Sequence, residues 1–158
     1  MGLEQVKAYF ESLGMAERVR EFPVSSATVE LAAQALGCQP QRIAKTLSFQ
    51  AGEQTVLIVA AGDCRIDNSL FKAVFHTKAK MLSAAQVEER TGHPVGGVCP
   101  FAVKEGVQIF LDESLKRFDT VYPACGSPNS AIELTIQELE QCCPGSSWVR
   151  VCKQLEAI

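Results

Sequence analysis

Apolar residues recur at helical spacing near the start of the chain. They are Leu3, Val6, Phe10 and Leu13. Gly14 follows them and is typical of a helix C-terminus, so the pattern predicts an amphipathic helix. A second helix is predicted between Thr28, a favourable N-cap residue, and Gly37. Pro40 then suits the first turn of a short helix that ends near Ala44.

Two strand-like segments come next, at residues 45–50 and 55–60. The first alternates between apolar and polar residues, whereas the second is apolar at almost every position. Together they predict a hairpin that turns at residues 52–53, with the second strand in the centre of a sheet.

Helix signals return after this hairpin. Asp67 can cap a helix that runs through Val74. Ser83 and Gln86 have the spacing of a capping box, which predicts a helix ending near Gly92.

The last third of the chain mixes short strands and helical turns. In chain order we predict a strand at 107–111, a helical piece at 113–118, strands at 120–124 and 130–134 with a turn at 125–129 between them, and a helix around Leu139 that Thr135 begins and Pro144 ends. Hairpin links occur together with longer crossovers. The order therefore favours an α+β fold, a single mixed β-sheet with surrounding helices, built as one domain over residues 1–158.

Composition narrows the class of protein. The chain has no basic segment followed by an apolar one at its start and no apolar run of the roughly 20 residues that a membrane helix needs. We therefore expect a cytoplasmic protein that does not contact membranes. A net charge of −3 argues against a protein that coats DNA or long RNA. A local group of basic residues leaves two interpretations open, a small nucleic-acid contact or a solvated face: Arg65, Lys72, His76, Lys78 and Lys80.

Cysteine usage indicates reduced thiols. The chain has seven cysteines, an odd number, and none of them forms a C-x-x-C pair. Paired ligand spacing is also absent, so we predict no metal site.

The loop at residues 92–101 carries the clearest candidate chemistry. Gly96 and Gly97 lack Cβ atoms, so their amides can approach a ligand oxygen closely, while Pro94 and Pro100 restrict the flanking backbone. A tight turn between core segments would explain the same residues. Nucleophile-elbow, phosphate-loop, zinc-protease and dinucleotide motifs are all missing from the sequence.

Three segments in the same order resemble the YbaK family, which includes the editing domain of bacterial prolyl-tRNA synthetases. They are residues 42–49, residues 91–101, and Cys125 with Gly126 ahead of residues 130–134. The resemblance implies a mixed-sheet fold that hydrolyses wrongly charged aminoacyl-tRNA, without a metal or organic cofactor. It implies as partners the acceptor end of an aminoacyl-tRNA, with tRNA-Pro carrying Cys, Ala, Ser or Thr as the expected substrate, and a prolyl-tRNA synthetase as a further candidate.

The resemblance also implies site residues. Lys45 matches the lysine that is essential for deacylation. The candidate substrate-binding set is Gly96, Gly97, Val98, Cys99 and Pro100, together with His93, Phe49, Gly126 and Ser127. In this interpretation loop amides stabilise the oxyanion, and a substrate hydroxyl or thiol assists the reaction.

Alternatives stay open at several positions. His93 can orient a ligand or cap the preceding helix, and Ser127 and Ser130 are turn residues or substrate contacts. Cys99 and Cys125 are small buried hydrophobes or, in a different mechanism, nucleophiles. A binding module of the same fold without catalysis is the alternative function.

Overall fold

The computed structural model describes residues 2–155. Five α-helices are present in this range: α1 (Gly2–Ser12), α2 (Val29–Leu36), α3 (Asn68–Phe75), α4 (Ala84–Thr91) and α5 (Ile136–Cys142). Eleven strands accompany them: β1 (Arg20–Glu21), β2 (Ile43–Ala51), β3 (Gln54–Ala61), β4 (Cys64–Ile66), β5 (Lys80–Met81), β6 (Gln108–Asp112), β7 (Thr120–Pro123), β8 (Ser130–Ala131), β9 (Leu134–Thr135), β10 (Ser147–Val149) and β11 (Cys152–Gln154).

The helix ends are fixed by local side chains, as the sequence predicts. Thr28 Oγ1 accepts a hydrogen bond from the Leu31 N–H at 3.2 Å, and Gly37 ends α2 with a left-handed φ of 69°. Asp67 caps α3 in the same manner, and capping boxes begin α4 and α5. These boundaries are confirmed because each depends on residues only a few positions apart.

Seven strands form the main mixed sheet, in the order β10-β6-β3-β2-β7-β9, with β5 added to β2. The predicted hairpin is confirmed: residues 44–51 of β2 pair antiparallel with residues 54–61 of β3, and β3 lies between β2 and β6 with residues 56–61 buried. Two further pairs, β1 with β8 and β4 with β11, lie outside this sheet.

The predicted strand at 130–134 is wrong in its continuity. Its first part, β8, pairs with β1, whereas its last part, β9, pairs with β7. Between them the Ile132 N–H donates to Pro123 O, and the Glu133 carboxylate accepts from Thr120 Oγ1 at 2.7 Å. These contacts bend the chain between the two pairings. The helical piece at 113–118 is a 3₁₀ helix over Glu113–Arg117.

One edge of β2 is interrupted, and this interruption positions the candidate site. Strand β7 pairs with that edge only at Ile43 and Ala44, and β5 only at Phe49 and Gln50. Within the described range, residues 45–47 therefore lack a strand partner on this side. An unpaired strand edge presents free backbone N–H and C=O groups, so this opening can be used for binding.

Candidate functional site

A cavity of about 330 Å³ lies beside the interrupted edge of β2. Its lining comes from four parts of the chain: Ser26 to Val29 with Ala32; Ile43 to Leu47; Gly96 and Val98; and Tyr122, Ala124, Ser130 and Ala131. The lining is mainly apolar, with several small side chains. Of the predicted site residues, Lys45, Gly96 and Val98 line this cavity.

Lys45 is the cationic side chain of the lining. It is half-buried, and its ammonium group donates a hydrogen bond to the backbone carbonyl oxygen of Cys64, the first residue of β4. An ammonium carries three hydrogens, so this contact fixes its position and leaves two for a ligand. The arrangement suits binding of an anionic or carbonyl oxygen.

Thr46 follows Lys45 on β2 and also lines the cavity. Its Oγ1 is buried and has no hydrogen-bond partner among residues 2–155. Because successive side chains of a strand point to opposite faces, this hydroxyl lies on the other side of β2 from the Lys45 ammonium.

The loop at 92–101 forms the opposite wall. Gly97 N–H donates to Pro94 O at 3.0 Å and closes a turn, in which Gly96 has a φ of 86°. The N–H groups of Gly96 and Val98 have no partner among the hydrogen bonds of residues 2–155. Two unpaired amides on cavity-lining residues can bind a negatively charged oxygen.

Gly97 itself faces away from the cavity and lies against the turn at residues 125–129, called the second turn below. A Cβ atom on Gly97 would come within 2.6 Å of Ser127 N and 2.8 Å of Gly126 C. Gly126 in turn lies against Gly2, where a Cβ would approach the carbonyl carbon at 2.6 Å. Gly97, Gly126 and Ser127 therefore set how closely the loop, the turn and α1 pack, and they do not line the cavity.

His93 connects the two ends of the loop. It is fully buried, and its Nε2 lies 2.7 Å from Phe101 O. Because a carbonyl only accepts, Nε2 carries the hydrogen and Nδ1 is bare; Nδ1 has no partner in the described part of the chain. Burial lowers the pKa of His93. The helix before it is capped by Gly92, so His93 neither caps that helix nor lines the cavity.

Cys99 and Cys125 are unsuited to nucleophilic attack. Both are fully buried and outside the cavity lining. Burial raises the pKa of Cys99 to about 12 and raises that of Cys125 well above its ordinary value. A neutral, inaccessible thiol does not attack an ester, which argues against the cysteine mechanism. All seven cysteines are free thiols.

Phe49 and Pro100 also lie outside the cavity. Phe49 is 2% exposed and packs on Phe71 of α3, with ring centroids 5.2 Å apart. It shares a face of β2 with Lys45, but α3 covers the distal part of that face. The structure therefore places Phe49 in the core between β2 and α3, and Pro100 is buried at the base of the loop.

Sequence reasoning missed the wall that precedes α2. Backbone hydrogen bonds attach this segment to the second turn, from Ser26 N–H to Pro128 O at 2.7 Å and from Phe22 N–H to Asn129 O at 2.8 Å. These contacts span about 100 residues of sequence. No local pattern signals them, and only the N-cap role of Thr28 marked the region.

Within residues 2–155, no three His, Cys, Asp or Glu side chains are grouped as metal ligands would be. In the same range, no helix has both the length and the apolar character required to cross a membrane.

Solved structures place this architecture among editing-type α+β domains. A crystal structure of a protein proposed to be a trans-editing enzyme for prolyl tRNA synthetase superposes with a TM-score of 0.86 at 27% identity, covering 96% of this chain and 97% of that one. The expected fold class is confirmed by this likeness.

Sequence comparisons define the family. Residues 24–142 match the model of the aminoacyl-tRNA editing domain, so the chain belongs to that family, and the resemblance to YbaK proteins is confirmed. Uncharacterized protein YwhH of Bacillus subtilis is 51% identical over 157 residues, which cover 99% of this chain and all of that protein. A proline–tRNA ligase of Kosmotoga olearia is 32% identical over 92 residues, covering 56% of this chain but 16% of the ligase.

Proposed function

We propose that this editing domain is a trans-acting deacylase, which hydrolyses the ester of a tRNA charged with the wrong amino acid. The candidate substrates are tRNA-Pro carrying Cys, Ala, Ser or Thr. The observation that carries the proposal is the cavity itself, which is lined by Lys45 and by Gly96 and Val98, two residues whose amides have no partner within residues 2–155.

The polar groups suit ester hydrolysis without a protein nucleophile. Water adds to the ester carbonyl carbon, the carbonyl oxygen takes negative charge, and the bond to the ribose oxygen then breaks. The water proton goes to that ribose oxygen, which leaves a free amino acid and intact tRNA. The loop amides stabilise the oxyanion, while Lys45 binds an oxygen at the end of the tRNA.

The dimensions of the cavity favour a small amino acid. Its volume is near the lower end of the roughly 300–1,000 Å³ typical of ligand sites. Alanine side chains form part of the wall, at Ala44, Ala124 and Ala131, and larger residues, Ile43 and Tyr122, close it. Ser130 Oγ is already paired with Ser127 Oγ at 2.6 Å.

A panel of charged tRNAs tests the proposal directly. The protein is incubated with tRNAs charged with Cys, Ala, Ser, Thr or Pro, with and without a prolyl-tRNA synthetase, and loss of the ester is followed over time. We expect fast hydrolysis of at least one mischarged tRNA-Pro and little hydrolysis of the correct Pro ester. If no ester is hydrolysed in either condition while tRNA is bound, the protein is a binding module instead.

A further inference from the structure

We propose that the segment from β4 to β5 is the surface that binds the phosphates of the tRNA acceptor end. We call it the basic surface, and it consists of Arg65, Lys72, Lys78 and Lys80. This inference rests on the proposed function, because it names where the tRNA of that reaction lies.

Two backbone connections link the basic surface to the site. Arg65 follows Cys64, whose carbonyl oxygen binds the Lys45 ammonium. Lys80 lies opposite Gln50 in the register between β5 and β2. Since a strand rises about 3.3 Å per residue, Gln50 is roughly 17 Å from Lys45 along β2. At about 3.4 Å per nucleotide, that distance corresponds to on the order of five nucleotides from the ester.

Lys72 and Lys78 share one groove on this surface. The groove has a volume of about 420 Å³, and Asn68, Ser69 and Ala79 complete its lining. Two ammonium groups with an amide and a hydroxyl nearby are donors suited to phosphate oxygens. All four cations of the basic surface are exposed.

The positive charges of this surface are not neutralised by ion pairs within residues 2–155. None of its four cations forms an ion pair in the described range 2–155, whereas Arg18, Arg42 and Arg117 pair with Glu138, Glu133 and Asp63. Residues 68–87 contain no Asp or Glu. Asp67, just before them, caps α3 and lies 3.8 Å from Lys153.

The negative charge of the rest of the protein confines tRNA binding to this positively charged surface. The chain carries a net charge of −3, so the rest of the molecule repels a polyanion. A positive area on a negative protein orients an approaching tRNA as well as binding it. The charge distribution therefore favours one docking direction, with the tRNA end at Lys45 and its backbone along α3 and β5.

Two double variants with the same change in net charge test the proposal. Lys72→Gln with Lys78→Gln removes the groove lysines, and Lys7→Gln with Lys116→Gln removes two exposed lysines that pair with Glu21 and Glu113. Binding of uncharged tRNA-Pro is measured by fluorescence anisotropy at several salt concentrations. For the groove variant we expect about tenfold weaker binding at low salt. We also expect the slope of log affinity against log salt to fall by about 0.7–0.9 per lysine. For the control we expect less than a twofold change.

Equal tRNA affinity of the two double variants would overturn this inference while leaving the proposed hydrolysis intact. A second arm separates the two proposals, because the unmodified protein is also given an aminoacyl ester of adenosine, which has no phosphate. Failure to hydrolyse either this ester or any charged tRNA would contradict the proposed function. Selective loss of tRNA binding in the groove variant would still support the basic surface.

Discussion

The two walls of the cavity are held in place in different ways. The strand wall belongs to β2, which pairs with β3 over eight residue positions, so its backbone is fixed by regular hydrogen bonds. The loop wall at residues 92–101 has no such ladder. Its shape depends on individual contacts: His93 to Phe101 O, Gly97 against Ser127, and Phe101 against Phe10 with ring centroids 4.8 Å apart.

This difference predicts how substitutions in each wall behave. A side chain on a well-paired strand can be changed with little effect on the backbone, so the strand wall reports on chemistry. A loop fixed by close packing shifts when one contact changes, because interiors are packed as densely as organic crystals. Loop variants therefore alter shape, stability and activity together.

The largest effect is expected from the strand wall. Lys45→Ala should lower kcat/KM for the mischarged tRNA by on the order of 10²–10³, because it removes the charged donor that binds the tRNA end and so positions the ester, a loss comparable to that of one oxyanion donor. Thermal unfolding should shift only slightly, because the side chain is half-buried and its β2 backbone stays paired.

Lys116→Ala is the matched control, since Lys116 is exposed and contacts Glu113 and the Trp148 ring, both outside the cavity lining. Activity of Lys45→Ala within about threefold of the unmodified protein would show that Lys45 has no part in the reaction. Such a result would leave the loop amides as the source of catalysis.

The distance in sequence between contacting residues also explains which features the sequence predicts. Thr28, Asp67 and Ser83 mark helix starts within three or four residues, so these elements were predicted correctly. Lys45, Gly96 and Val98 were brought forward by a family resemblance, and the fold brings all three to one cavity.

Sequence alone does not indicate which side of a segment faces the cavity, because the fold decides it. Phe49 shares a motif with Lys45 but lies under α3, and Cys99 shares a loop with Gly96 but faces the core. Motif neighbours alternate between ligand and core contacts, and sequence alone does not show which is which. The short strands β10 and β11 were missed because three residues give no periodic signal.

The loop wall gives the next largest expected effect. Gly97→Ala places a methyl group 2.6 Å from Ser127 N, a backbone atom that cannot move aside cheaply. We expect a loss of about 1–3 kcal/mol in the free energy of unfolding, as for other overpacked sites. A loop displaced by about 1 Å should also lower kcat/KM roughly tenfold to a hundredfold.

Val95→Ala tests the same loop without the close approach, because Val95 is 59% exposed. It should change neither the unfolding free energy by more than about 0.5 kcal/mol nor the activity appreciably. If Gly97→Ala behaves like Val95→Ala, the loop is more adaptable than its packing indicates, and the contrast between the two walls fails.

The smallest effect concerns pH and the His93 contact inside the loop wall. Burial lowers the pKa of His93 below its ordinary value near 6.5. Below about pH 6.5 the unfolded chain therefore binds a proton that the folded protein does not. The free energy of unfolding should fall as the pH drops through this range, and the decrease should stop below the folded-state pKa.

The substitution His93→Gln tests this explanation. Gln can still donate to Phe101 O but does not titrate, so His93→Gln should remove the decrease in the free energy of unfolding. Chemical denaturation between pH 5 and 8 measures it, with the exposed His76→Gln as the control that should keep it. A pH dependence that survives His93→Gln and disappears in His76→Gln would show that the loop wall is not the pH-sensitive part of the fold.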